Sequence, residues 1–188
     1  MDQNFVNIEK LIGNTPTMEL NLGLNNNVKT YLKLEGYNPT GSIKDRAALF
    51  ILKDKIKKKE LINGKTILDA SSGSFACAIT YFGNILGFPV ITVTGSKMTE
   101  DKLNFVNYFG GKNIKIDANF TIECNRYCSE VLLKKNPEKY CFLDQLHNWQ
   151  NPLAHYETTA PEILKRFPNI AAVVFSIGSG GTICGISR

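Results

Sequence analysis

Apolar and polar positions change period repeatedly along the chain, and the changes mark out short strands and longer helices. Residues 17–20 and the alternating stretch 28–35 read as strands, with a surface turn at Asn25, Asn26 and Asn27. From Ser42 the apolar positions Ile43, Ala47, Phe50, Ile51 and Ile56 fall on one face of a helix running to Lys59. Residues 66–70 read as a strand, and Ser71 to Ser74 open a helix that lasts through Leu86. Strands at 90–94, 113–117 and 141–144 then alternate with helices at 99–109, 120–135 and 156–167. A last apolar run, Ala171 to Ser176, reads as a buried strand. Strands that alternate with helices predict an α/β fold with parallel sheets.

Composition narrows the picture without deciding it. A chain of 188 residues with 43% hydrophobic content can bury a core. No apolar run is long enough to span a bilayer, and the start lacks a signal-peptide pattern, so no membrane partner is expected. The 5 cysteines are odd in number and form no metal-type pair, which fits a reduced, cytoplasmic protein. The net charge of +5 is densest over Lys53 to Lys59, read as the solvated face of a helix rather than a nucleic-acid stripe. His147 and His155 stand in no serine–carboxylate arrangement, which argues against a hydrolase triad. His155 is expected to pack or to serve at a helix N-terminus rather than to catalyse, and Trp149 to pack as a loop aromatic.

The chemistry concentrates in two stretches. In Asn38 to Arg46, turn residues lead into a helix with Ser42 as N-cap and Asp45 answering it. Lys44 then lies in the first turn, beside positive dipole and near Arg46, where its pKa is pushed down. A depressed amine suits a nucleophile, although most lysines are merely solvated. The second stretch is Gly178, Ser179, Gly180, Gly181 and Thr182, directly after the apolar run. Glycines between a strand and a helix let backbone N–H groups converge on a phosphate. Their spacing fits neither the nucleoside-triphosphate loop nor the dinucleotide fingerprint. A phosphate site together with a lysine nucleophile suggests pyridoxal phosphate.

Four motifs, in order, carry a resemblance: Gly13 to Pro16 (Gly-Asn-Thr-Pro), Asn38 to Arg46, Asn151 to Ile163, and Gly178 to Thr182. From Ile8 to the last residue the chain resembles the cysteine synthase/cystathionine β-synthase family of fold-type II pyridoxal-phosphate enzymes. The resemblance implies a tryptophan synthase β-like fold of two parallel-sheet α/β domains. A small mobile domain would span 45–148, and 1–44 with 149–188 would belong to the large cofactor-binding domain. It implies Lys44 as the Schiff-base lysine and general base, and Gly178, Ser179, Gly180, Gly181 and Thr182 as the phosphate cradle.

Ser71, Ser72, Gly73, Ser74 and Phe75 stand where the family has Thr-Ser-Gly-Asn-Thr, the loop that grips the substrate carboxylate, and Gln145 matches a glutamine that reaches the same carboxylate. Ser74 replaces an asparagine that in the family also touches the cofactor's ring hydroxyl; Phe75 replaces a threonine. The implied reaction is β-replacement on an activated serine, most simply O-acetylserine and sulfide to cysteine and acetate, by a homodimer acting on a small amino acid. Alternatives are O-phosphoserine or an amine nucleophile, as in diaminopropionate synthesis, or a non-catalytic relative that serves as an interaction unit. Family members continue well past the glycine loop, so the chain is expected to be part of a longer one or completed by a partner. The residue that faces the pyridine nitrogen is expected in that further part.

Overall fold

In the computed structural model, which describes residues 7–23, 28–96 and 98–188, the expected alternation appears as a sheet with helices on both faces. The chain first forms a two-stranded antiparallel pair, β1 (Thr17–Leu20) with β2 (Thr30–Lys33). The turn expected at 25–27 lies outside the described residues. After a short 3-10 turn at Glu35–Tyr37 comes α1 (Lys44–Lys57). Then follow β3 (Thr66–Ala70), α2 (Ser74–Ile85), β4 (Val90–Thr94), α3 (Glu100–Tyr108) and β5 (Lys112–Lys115). Helix α4 (Thr121–Arg126) widens into π turns over Tyr127–Leu133, and β6 (Tyr140–Phe142) closes the sheet.

The sheet is parallel, in the order β5-β4-β3-β6. All of β3 is buried, because each of its faces is covered. Ile67 meets Ala47, Leu52, Ile79 and Phe82 of α1 and α2 on one face. Leu68 and Ala70 meet Cys124 and Cys128 on the other. A strand covered on both faces reads as a continuous apolar run rather than an alternation. From β3 the chain moves outward to β4 and β5, then crosses back to lay β6 on the far side of β3. In open α/β sheets, ligands bind beyond the carboxyl ends of the strands where the order reverses. Here that place lies between the ends of β3 and β6, where Ser71 and Gln145 follow.

Three expectations need correction. The helix expected from 156 starts earlier: α5 (Gln150–Ala154), wide turns at His155–Thr159 and α6 (Ala160–Arg166) form one run. Pro152 sits in its first turn, where no N–H is required. Pro161 gives no N–H to the turn behind it, and that turn widens. The run Ala171 to Ser176 is not a strand: it is unpaired among the described residues and mostly exposed, with Val174 94% accessible. Trp149 is 61% exposed rather than packed in the interior, with the Arg188 guanidinium 5.6 Å from its ring. A last short helix, α7 (Gly181–Ile186), follows the glycine loop.

Candidate active site

Lys44 opens α1, two residues after the expected start, and the cap position falls on Ile43 rather than Ser42. Ser42 still serves the helix end, its Oγ accepting the Lys44 N–H at 3.2 Å. Asp45 does not answer Ser42. It turns back to accept the Thr40 N–H at 2.7 Å and the Thr40 hydroxyl, closing the turn made by Gly41 at φ +76°. Burial pushes the Asp45 carboxyl up to about 6, against those two bonds. Lys44 extends its amine across to the glycine loop, where Nζ donates to Ser179 Oγ at 3.0 Å. Its pKa is lowered, as expected, but the cause is burial.

Between Lys44 and the loop lies a cavity of about 170 Å³. Ser179 Oγ accepts from Asn151 Nδ2 at 3.0 Å as well as from Lys44, so its own proton remains to be donated. Gly180 takes a left-handed conformation at φ +80°, which favours glycine. Gly181 is required for another reason: a Cβ there would collide with the buried Asn151 side chain. Thr182 also lines the cavity, its Oγ1 3.3 Å from His155 Nε2. The lining is made of hydroxyls, glycine backbone, isoleucines and one amine, with no acid. This donor set suits a ligand that carries a phosphate and a group reactive toward an amine.

The other loop sits at the reversal of the sheet. Ser71 continues the β3 ladder, its N–H bonded to Val93 O at 3.2 Å, and is buried; Ser72, Gly73 and Ser74 are half-buried. Phe75 is 2% exposed and its ring belongs to the core with Ile79 and Phe82, so only its backbone remains for a ligand. Gln145 lies against the end of β3, donating from Nε2 to Ala70 O at 3.3 Å and from its N–H to Asp69 Oδ2 at 3.2 Å. Burial lifts the Asp69 carboxyl to about 8, and its Oδ1 has no hydrogen-bond partner among the described residues. Asn151 joins the two loops, its Nδ2 donating to both Gln145 O at 2.9 Å and Ser179 Oγ. The structure thus brings Lys44 to the glycine loop and Gln145 to the end of β3.

A family model described as "Pyridoxal-phosphate dependent enzyme" matches residues 8–188. The chain belongs to that family. The cysteine synthase of Aquifex aeolicus is 36% identical to it, over 96% of this chain and 57% of the relative. Among solved structures, a hydrogen sulfide-producing enzyme from Fusobacterium nucleatum superposes with a TM-score of 0.89 at 33% identity, covering 98% of this chain and 57% of that one. An O-ureido-L-serine synthase superposes at 0.85 with 29% identity, covering 95% and 57%. The chain spans little more than half the length of each. The family's cofactor is pyridoxal phosphate, and the cavity's amine and hydroxyl donors fit its aldehyde and phosphate.

What the motifs do not announce is the ionic cluster around Arg46, two residues after Lys44. Arg46, 1% exposed, bonds Glu35 twice at 2.8 Å and Glu162 at 2.6 and 2.9 Å. Lys33 adds a contact to Glu162 at 2.6 Å, and Thr15 donates to Glu35 at 2.6 Å. The same acids collect the Gly13–Pro16 turn: the Asn14 N–H donates to Glu162 at 2.9 Å, and Gly13 donates to Asn38, which itself bonds Glu35. Burial alone would raise the Glu162 pKa, but Arg46 and Lys33 bring it down to about 2. Glu35 also goes down: burial opposes this, and Arg46 outweighs it. Arg46 is raised despite its burial by the two acids. Glu162 stood inside a matched motif without a role. Glu35 gave no signal beyond being one acid in a strand-like stretch.

Proposed function

We propose that this chain carries the reactive lysine, phosphate loop and carboxylate loop of an enzyme that replaces the β-substituent of an activated serine, most simply turning O-acetylserine and sulfide into cysteine. Bound pyridoxal phosphate would supply the electron sink that makes the α-proton of an amino acid removable. The observation that carries the reading is the Lys44 Nζ–Ser179 Oγ contact, which joins the amine to the loop across 135 positions. Lys44, kept less basic by burial, takes and returns the α-proton. Gly178, Ser179, Gly180, Gly181 and Thr182 hold the phosphate. Ser71, Ser72, Gly73, Ser74, the Phe75 backbone and Gln145 hold the substrate carboxylate, Ser74 also facing the cofactor. Residues 45–148 would move as a small domain against 1–44 and 149–188, in a cytoplasmic homodimer.

Borohydride reduction of the protein loaded with pyridoxal phosphate, followed by peptide mapping, should leave the pyridoxyl group on Lys44. Label on another lysine, or bound cofactor with none, overturns the reading. Substrate choice turns on Ser74. A serine cannot offer the amide donor and acceptor of an asparagine, and one hydrogen bond lost at a charged group slows turnover roughly tenfold or more. With O-acetylserine and sulfide, Ser74→Asn should therefore raise kcat/KM by about tenfold. No gain, in an enzyme already efficient with that pair, would show that Ser74 does not set specificity. O-phosphoserine and an amine nucleophile complete the panel, because the O-ureido-L-serine synthase shows that this fold accommodates other serine derivatives.

A further inference from the structure

His155 has no exposed surface, and it stands between two threonines. Its Nδ1 lies 3.0 Å from Thr159 Oγ1, and its Nε2 lies 3.3 Å from Thr182 Oγ1. Thr159 is itself buried, whereas Thr182 opens onto the cavity beside Lys44. The packing fixes this geometry. Gly185 brings α7 directly onto the Pro152 carbonyl and the His155 Cβ, and a side chain at 185 would lift the helix away.

A neutral imidazole has one donor and one acceptor, so the chain of groups has two possible states. If Nδ1–H donates to Thr159, then Nε2 accepts the Thr182 proton, and Thr182 turns only oxygen lone pairs toward the cavity. If Nε2–H donates to Thr182 Oγ1, Nδ1 accepts from the Thr159 hydroxyl, and the Thr182 proton is left for the cavity. Only the second state offers an anion a donor. We propose that His155 is a positioning residue that, as the Nε2–H tautomer, donates to Thr182 and so turns the Thr182 hydroxyl proton toward a phosphate monoester in the cavity. This rests on the pyridoxal-phosphate reading above and adds a residue to its phosphate site. Burial, with Lys44 and Arg46 nearby and outweighing Glu35, lowers the His155 pKa to about 4 and keeps the ring neutral.

The chain has 2 histidines, so the test is spectroscopically simple. His147 has 62% of its side chain exposed and serves as the internal reference. Long-range proton–nitrogen correlation on protein labelled with ¹⁵N-histidine, with pyridoxal phosphate or inorganic phosphate added, should show His155 as the neutral Nε2–H tautomer. The signal should hold from pH 8 to pH 5. An Nδ1–H tautomer in protein that holds pyridoxal phosphate overturns this inference and leaves the proposed function intact. Failure of the full-length protein to bind either probe overturns both.

Affinity supplies the second arm. His155→Leu should weaken phosphate binding roughly tenfold, the size expected for one hydrogen bond to a charged group, while His155→Gln, which keeps a donor, should restore most of it. In a Thr182→Val background His155→Leu should add nothing. Equal losses for Leu and Gln, or an undiminished loss in the Thr182→Val background, would mean that His155 only fills space. Should the variants not fold, the tautomer in the unaltered protein decides alone.

Discussion

Two segments of this molecule look alike in sequence and differ in structure. Residues 66–70 and 171–176 are both short apolar runs, each followed by a serine- and glycine-rich loop and a helix. The first is β3, hydrogen-bonded on both edges and covered on both faces, with Ile67 and Leu68 at 0% exposure. The second has no regular secondary structure, and Val173 and Val174 are exposed. Apolar composition makes a segment fit for a sheet, but the ladder comes from its neighbours. The loops inherit the difference. Ser71 is held by the sheet behind it, whereas the Gly178–Thr182 loop is held from the side, by Lys44, Asn151 and His155.

The contrast breaks most severely where the side support begins. Arg46→Met removes the buried cation that Glu35 and Glu162 share, leaving two half-buried acids with Lys33 as their remaining cation among the described residues, and should cost about 3–5 kcal/mol in urea unfolding. The same cluster gives an acid signature. Glu162 is depressed from 4.5 to about 2 in the folded protein, so its stabilisation is fully present above pH 4.5 and is lost as pH falls toward 2. Glu162→Gln should flatten that part of the stability–pH curve, and an unchanged slope would remove Glu162 from the account.

Next in size is the sheet itself. Leu68→Ala, at a fully buried position of β3, should cost about 2–5 kcal/mol. The matched change Val174→Ala should cost less than ~0.5 kcal/mol, because 94% of that side chain is already exposed. Comparable losses at the two positions would mean that 171–176 is covered in solution. Hydrogen exchange gives the smallest, most local version of the test. Amides of β3 should be protected to near the global stability, and those of 171–176 should exchange at almost the rate of an open chain.

Much of the fold was legible because its signals are local. Strands β3 and β4 are mostly apolar runs introduced by Asn63-Gly64 and Pro89, and the helix from Ser42 carries its own periodicity. The last apolar run misled because ladder pairing is non-local. The start of α5 was hidden because Pro152 looks like a breaker until it is placed in a first turn. For the site, Lys44 and both loops could be read from ordered motifs, and the direction of the Lys44 pKa shift from its place in the helix. The cause of that shift could not, since burial depends on what folds over the amine. Nor could the Arg46–Glu162 pair, whose members stand 116 positions apart, or the Phe75 ring, which turns into the core where the motif suggests a ligand contact.

The separation of Lys44 from its partners also sets a timetable. As the chain leaves a ribosome, N-terminal parts are free to organise first. The sheet β5-β4-β3-β6 can close once Phe142 has emerged, with every strand supplied from the stretch already made. Lys44 is synthesised before all of it, yet its contact with Ser179 must wait for 135 more residues. Arg46 is likewise without Glu162 until another 116 have appeared. The nascent protein therefore passes through a stage with a finished sheet and an unfinished lysine pocket. The cavity that would receive a phosphate ligand cannot form before α7, carrying Thr182 and Gly185, settles onto His155.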